Sequence, residues 1–421
     1  MRSQLGAAEF MEINEVKEKA RAVLEGNLVA GENFFYTCPS TGTYQHQWLW
    51  DSSFHAIIWT YFDPENAKKE LISLVANQFE NGMLPHMNYW KSASGLLPRL
   101  SDWLFGRLWP EKNRSYITQP PVIAQAVEAV FLKTQDKNFL AHMINPLKRY
   151  FDWLHLERNE RISGDGLVSV VHPWETGMDL LPIWDHIHKI KRFFAWRASL
   201  FIIKVIKQYN KVDWDIERIK ELDLFLVKDV AFNVIYILNL VSLANLCDSL
   251  DQRDQGDVYR SRAKTAQIAL ETKCWDDKTE FFYSIHSIED TILPEITISG
   301  LFPICLDITR KKLDALVKEH LLNEDEFWLS YPIPSVAKSS SKFKAKGSSM
   351  VLWRGPTWLN CNWYIVKGLQ HHGFDDYASE IIQKMVEMIK ISGFREQYNP
   401  FTAQGYGAKN FGWSTLIVDL L

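Results

Sequence analysis

The sequence predicts an all-α protein closed into a helical toroid, and three observations carry that prediction. Apolar residues recur at helical spacing along most of the chain, and helix-start signals precede several of the stretches. Strand-like runs are few and short, at 280–285 and 327–331, with no strand-helix alternation to build a parallel sheet.

In chain order, the spacing predicts helices over 16–29, 66–78, 122–132, 139–156, 193–209, 230–250, 259–272, 313–322, 359–369 and 377–391, and a further one containing His55 and Thr60. Asp51 is placed to cap the His55 helix, as an acceptor beside the first turn. Asp63-Pro64 puts an acceptor before a first-turn proline, Gln119-Pro120-Pro121 does likewise, and Gly355-Pro356 is expected to open a helix at the proline. The most apolar run, 230–246, carries Asn233, Asn239 and Asn245, which argues against a membrane span. About a dozen helices could form a superhelical array or a closed ring; the chain shows no fixed repeat period of the solenoid kind, which favours the ring. Residues 1–10 read as a vector-derived leader before Met11, without the apolar core of a signal peptide. The remainder, 11–421, shows no composition break and reads as one domain.

Composition narrows the function. Hydrophobic residues make up 47% and charged residues 23%, ordinary for a globular chain with a sizeable core. A formal net charge of -4 gives no footprint for a nucleic-acid backbone. The cysteines Cys38, Cys247, Cys274, Cys305 and Cys361 are far apart and odd in number, which suits free thiols in a reducing cytoplasm. The 17 tryptophans matter more, because indole rings stack on the C–H faces of sugars while their N–H groups still donate.

Carboxylates set among aromatics in three distant segments point to glycosidic bond cleavage, which needs a proton donor and a second carboxylate. His172-Pro173-Trp174-Glu175-Thr176-Gly177-Met178-Asp179 offers two acids four apart; on a helix they would share a face, although Gly177 suits a loop as well. One can be catalytic and the other structural. Phe394-Arg395-Glu396-Gln397-Tyr398 offers a third acid between aromatic neighbours. Trp48-Leu49-Trp50-Asp51 reads as an extended segment with two indoles on one side and a carboxylate to hold hydroxyls. In Trp353-Arg354-Gly355-Pro356-Thr357-Trp358, the fixed guanidinium of Arg354 is suited to bracing acidic loops. The Lys- and Ser-rich stretch 338–349 reads as a solvated loop. Zinc-protease, P-loop and serine-hydrolase motifs are absent, and His186 with His188 and the pair His371-His372 read as exposed helix-face residues, since no clustered carboxylate or Cys completes a metal set. No metal or cofactor is expected, and the expected partner is a small carbohydrate rather than nucleic acid or membrane.

These motifs, together with Gln47, Phe54-His55-Ala56, Asp63-Pro64, Gly82-Met83-Leu84-Pro85-His86-Met87, Gln119-Pro120-Pro121 and Asp229 with Phe232-Asn233, resemble glycoside hydrolase family 63 in order along nearly the whole chain. The resemblance is to its small prokaryotic-type members, which include mannosylglycerate and glucosylglycerate hydrolases. It implies an (α/α)6 barrel and inverting, exo-acting hydrolysis of a small α-glucoside or α-mannoside. It places the general acid on Asp179 and the general base on Glu396, with Tyr44, Trp48, Trp50, Asp51, Tyr89, Gln119, Trp353 and Trp358 binding the sugar. Leu352 stands where this group commonly has Tyr, and Asn410 where glycerate-releasing members have Gln. The region 180–228 shows no counterpart of their aglycone clamp. Lys189, Lys191, Arg192 and Arg197 offer positive charge but span nearly three helical turns, so a neutral glucosyl substrate is expected over an acidic one. The competing expectations are a sugar epimerase or isomerase working through His55, His86 or His172, and a carbohydrate-binding protein without catalysis.

Overall fold

A computed structural model describes residues 7–95, 106–188, 195–348 and 352–421. Its helices form two concentric rings. The inner ring runs through Leu49–Phe62, Ile123–Thr134, Val230–Ser249, Ile298–Cys305, Leu359–His371 and Gly412–Asp419. Each packs on the next, and the last packs back on the first. Outside them, in the same order, lie Pro64–Ala76, Lys137–His155, Arg253–Lys273, Ala315–Leu321 and Asp375–Ser392, with Ala7–Gly26 covering Gly412–Asp419. This is the (α/α)6 barrel.

The two rings follow from where the apolar residues fall. Val230–Ser249 is buried almost all round, whereas its outer partner Arg253–Lys273 buries one stripe, Gly256, Tyr259, Ala263, Ala266, Ala269 and Leu270. Val230–Ser249 is long and apolar enough to cross a membrane by length and composition, yet it sits inside the ring with 83% of its most apolar window buried. Two of its asparagines tie the helix to its surroundings. Asn239 Oδ1 accepts from Gln125 N at 2.9 Å and Asn233 exchanges two hydrogen bonds with the Val168 backbone, so these buried amides are satisfied.

Several local expectations are revised. Asp63 does cap Pro64–Ala76, accepting from the N–H groups of Glu65 and Asn66. Asp51, by contrast, is not a cap: Trp48 takes that position and Asp51 lies in the first turn of Leu49–Phe62. The Trp48 to Asp51 segment is therefore a strand-to-helix junction instead of an extended run. Gln119 does not cap the helix after it either, since Val122 stands there; its Oε1 accepts from Trp50 N at 3.3 Å, meeting an orphan N–H of the neighbouring helix. Pro356 opens no helix. Thr357 is held in extended bridges to Pro334 and Tyr398, so the helix waits until Leu359.

The 280–285 run divides into the strands Phe281–Phe282 and Ile285–His286, but 327–331 holds no strand because the backbone N–H groups of Phe327 and Trp328 turn back onto Asn323 O. Helix Ala7–Gly26 begins inside the stretch read as a leader. All five cysteines are free.

Inner and outer segments alternate along the chain, so the inner ones all run in one direction. The loops that enter their N-terminal ends therefore meet at one end of the barrel. The acids Asp51, Asp179 and Glu396 and the tryptophans Trp48, Trp50, Trp353 and Trp358 belong to those loops or to the first residues after them.

Candidate active site

At that end lies a cavity of about 500 Å³. Its wall includes both carboxylates and all the sugar-binding residues that the resemblance implies: Asp179, Glu396, Tyr44, Trp48, Trp50, Asp51, Tyr89, Gln119, Trp353 and Trp358. Residues as distant in sequence as Tyr44 and Glu396 meet because each inner helix brings its own entry loop.

Glu396 sits on the strand Arg395–Tyr398, which pairs with Gly405–Lys409 across a register shift at this residue. The irregularity leaves its side chain turned inward, only 4% exposed. Tyr44 OH donates to Oε1 at 2.9 Å and Ala408 N donates to Oε2 at 2.9 Å, so both oxygens are held. Burial pushes the Glu396 carboxyl above its ordinary value, while these two donors favour the charged form and oppose the shift. Gly407 at φ +66° permits this approach, since a Cβ there would stand 2.1 Å from Glu396 Oε2.

Asp179 follows a turn built to present it. Pro173–Thr176 is one short 3-10 turn, ended by Gly177 at φ +71°, against which the Trp50 ring packs closely. Glu175, one of the two acids four apart, is the structural member. It is fully buried and accepts from Arg158 Nη1 at 3.0 Å and Nη2 at 2.8 Å, from Val171 N at 2.7 Å and from Thr118 N at 3.1 Å. Thr176 Oγ1 then accepts from Met178 N, and Met178 O accepts from Trp184 Nε1. Desolvation, reinforced by the charge of Glu396, pushes the Asp179 carboxyl up to about 7. Asp51 is also pushed up to about 7 by burial, against the lowering influence of His55.

The aromatic wall is continuous. Trp353 stacks on Trp358 with ring centroids 3.7 Å apart, and Trp413 meets Trp50 at 5.4 Å, Trp358 at 5.8 Å and Phe411 at 4.6 Å. Tyr44 meets Trp48 at 6.0 Å and Trp48 meets His86 at 4.6 Å. Trp353 adopts φ +60°, unusual for a bulky side chain and consistent with a functional position. Buried polar atoms need partners, yet Trp48 Nε1, Trp358 Nε1, Trp413 Nε1 and Asp51 Oδ1 have none among the described residues. The four residues that carry these atoms all line the one cavity.

Arg354 braces acidic loops, as its sequence context suggested, donating to Asp185 Oδ2 at 2.9 Å and Oδ1 at 2.5 Å. The 338–348 stretch is more than a solvated loop. Lys342 pairs with Glu295, Lys344 N donates to Arg354 O, and Gly347 packs against Gln397 beside Glu396. Sequence reasoning passed over His46, Met87 and Trp174 as wall residues. Phe411 and Trp413 are further wall residues not nominated from the sequence, while Trp174 stands beside Glu175, so proximity to an acid was the available signal there. Of the histidines proposed for an epimerase, only His86 lines the cavity, and burial pushes its imidazole down to about 3, leaving it neutral. Lys189, Lys191 and Arg192 lie outside the described residues; Arg197 is exposed on the helix Ala195–Asn210. His186 pairs with Glu295, while His371 and His372 do acquire a carboxylate, Asp307, brought in from a distant part of the chain.

Residues 44–414 match the mannosylglycerate hydrolase MGH1-like glycoside hydrolase domain. The chain belongs to this family, within glycoside hydrolase family 63. It is 30% identical to a mannosylglycerate hydrolase of Thermus thermophilus over 91% of this chain and 95% of that one. It is 27% identical to a glucosylglycerate hydrolase of Mycolicibacterium hassiacum over 89% of this chain and 91% of the relative. A crystal structure of a Thermus thermophilus mannosylglycerate hydrolase with Tris and D-glycerate superposes with a TM-score of 0.84, at 27% identity, covering 96% of this chain and 100% of that one. This member of family 63 is an inverting glycosidase acting on small glycosides, and the epimerase reading is not favoured.

Proposed function

We propose that the chain releases a hexose from the non-reducing end of a small α-glucoside or α-mannoside, with Asp179 as general acid and Glu396 as general base. The contrast between the two carboxyls supports this assignment most strongly. Asp179 is pushed up to about 7 by burial and a neighbouring charge, so it is protonated below that pH, whereas Glu396, although burial raises it too, has a donor on each oxygen that favours the carboxylate. Glu396 takes a proton from water as the water oxygen bonds to the anomeric carbon. The glycosidic C–O bond breaks on the opposite face, and Asp179 delivers its proton to the leaving oxygen. Asp51 and the indole N–H groups of Trp48 and Trp358 bind the sugar hydroxyls.

The relatives' names suggest a glycerate aglycone. The cavity wall favours an uncharged one, because its described residues include the three acids Asp51, Asp179 and Glu396 and neither Lys nor Arg. The deciding experiment incubates the protein with mannosylglycerate, glucosylglycerate, glucosylglycerol, kojibiose, nigerose and trehalose, and follows release and anomeric form of the hexose by NMR. Release of the β-anomer from an uncharged glycoside is expected. Preference for a glycerate substrate that weakens with salt would reassign the aglycone, since an exposed cationic site is screened. No hydrolysis of any α-glycoside would remove the assignment.

Two outcomes follow from the site itself. Gly407→Ala should leave the fold in place and cut kcat by about 100-fold, because displacing a reacting group by even ~1 Å costs that much and the new methyl would occupy the Glu396 carboxylate. Steady-state kinetics beside a far-ultraviolet dichroism spectrum checks it. The pH profile of kcat/KM should fall on the alkaline side near pH 7 as the cavity carboxyls lose their protons. Asp51 and Asp179 share that range, so the limb reports both. The same shift carries a stability cost. Asp179 has a folded value above its unfolded one, so its contribution to stability is lost as pH rises from the unfolded value toward about 7. Asp179→Asn should therefore melt higher than the native chain at pH 8.

A further inference from the structure

We propose that Asp307, His371 and His372 form a binding site for a divalent ion of the zinc class at the end of the barrel away from the cavity. One ligand atom from each lies within 4.8 Å of the others. His371 Nε2 is 2.7 Å from Asp307 Oδ1. His372 Nε2 is 3.1 Å from Leu306 O, and as the carbonyl can only accept, that nitrogen carries the proton and Nδ1 keeps its lone pair. A ligating imidazole commonly shows this arrangement, with its second nitrogen fixed by a backbone carbonyl. The two rings meet nearly at right angles, 4.7 Å between centroids.

The surrounding backbone holds these groups in place. Asp307 O accepts from Gln267 Nε2 at 2.9 Å, anchoring the Asp307 segment to the outer helix Arg253–Lys273. His371 ends Leu359–His371 and His372 is its C-cap, where the last carbonyls of a 13-residue helix add negative potential that favours a cation. Two imidazoles and one carboxylate are a borderline donor set, suited to Zn²⁺, Ni²⁺ or Cu²⁺ and not to Mg²⁺ or Ca²⁺, which prefer all-oxygen shells. Side-chain exposures of 56% for His371 and 82% for Asp307 leave the site open to an ion; a pair so exposed contributes little to stability by itself. The ion would fasten the segment after Ile298–Cys305 to the end of the next inner helix. Leu359–His371 starts at Trp358 in the cavity wall, so its far end lies about 20 Å from the reacting groups.

The test uses the untagged full chain, stripped with a chelator and titrated with ZnCl₂ by calorimetry at pH 7.5, with melting followed in parallel. One ion per chain and a higher melting temperature are expected. Asp307→Asn and His372→Ala should each weaken binding about 10-fold or more, and the double variant His371→Ala/His372→Ala should abolish both the heat and the thermal shift. Hydrolysis of an α-glycoside by the variants shows that they fold. Absence of a saturable site in the native chain, or unchanged stoichiometry and affinity in the folded variants, would overturn the proposal.

Discussion

Asp179→Asn and Glu396→Gln should each reduce kcat/KM for a natural α-glycoside by about 10²- to 10⁴-fold, the range that a positioned acid or base supplies. The two losses differ in kind. Asparagine at 179 cannot protonate the departing oxygen, so an α-glucosyl fluoride, which departs without protonation, should recover most of the lost rate. Glutamine at 396 cannot take a proton from water, and that need persists with any leaving group. Added azide, a nucleophile that needs no deprotonation, should instead raise turnover of the fluoride by the Glu396 variant. Equal recovery of both variants with the fluoride would exchange or cancel the roles. Tyr44→Phe gives an intermediate case, removing one of the two donors to Glu396 and moving the acid limb of the profile to higher pH.

Glu175→Ala should be the most destabilising single change near the site, by about 3 to 5 kcal/mol, the cost of removing one partner of a buried pair. It leaves the guanidinium of Arg158 unpaired at 5% exposure and strips acceptors from Val171 N and Thr118 N. Chemical denaturation should show a lower midpoint, and turnover should fall as well because Asp179 hangs from the same turn. Glu175→Gln keeps the shape and some hydrogen bonds and should lose less of both. A midpoint unchanged in Glu175→Ala would show that the turn is held elsewhere.

Much of the barrel could be read from the sequence because its helices are long and their burial is periodic. Outer helices such as Pro64–Ala76 and Asp375–Ser392 announce themselves by one-sided patterns. The inner ring is harder to read. Gly412–Asp419 is short and buried from Gly412 to Val418, so it shows no one-sided pattern for periodicity to mark. Boundaries failed where tertiary partners replaced local caps. Gln119 serves the Trp50 N–H in another helix, and Thr357 joins Tyr398 in a bridge, so neither proline nearby reports a helix start. The acids were visible as acids among aromatics, but spacing could not separate Glu175 from Asp179. That distinction depends on Arg158, which lies 17 residues away and meets Glu175 only in the folded turn. The Asp307 contact with His371 spans 64 residues and left no local trace.

The inner ring closes through the last segment of the chain, Gly412–Asp419, which packs against Leu49–Phe62 near its start. For a protein made from its N-terminus, this sets an order of events. At about 5 to 20 residues per second, the Asp51 helix waits roughly 20 to 70 s for Glu396 to be synthesised. A chain folded only that far would be an open arc of helical hairpins, with apolar seams at both ends and with Trp50 and Asp51 lacking their far wall. Nascent chains stalled before residue 412 should therefore be captured by holdases and cut readily by protease, and release of the final ten residues should end both together. In cells, yield would then depend on chaperone supply during translation more than on the stability of the finished barrel.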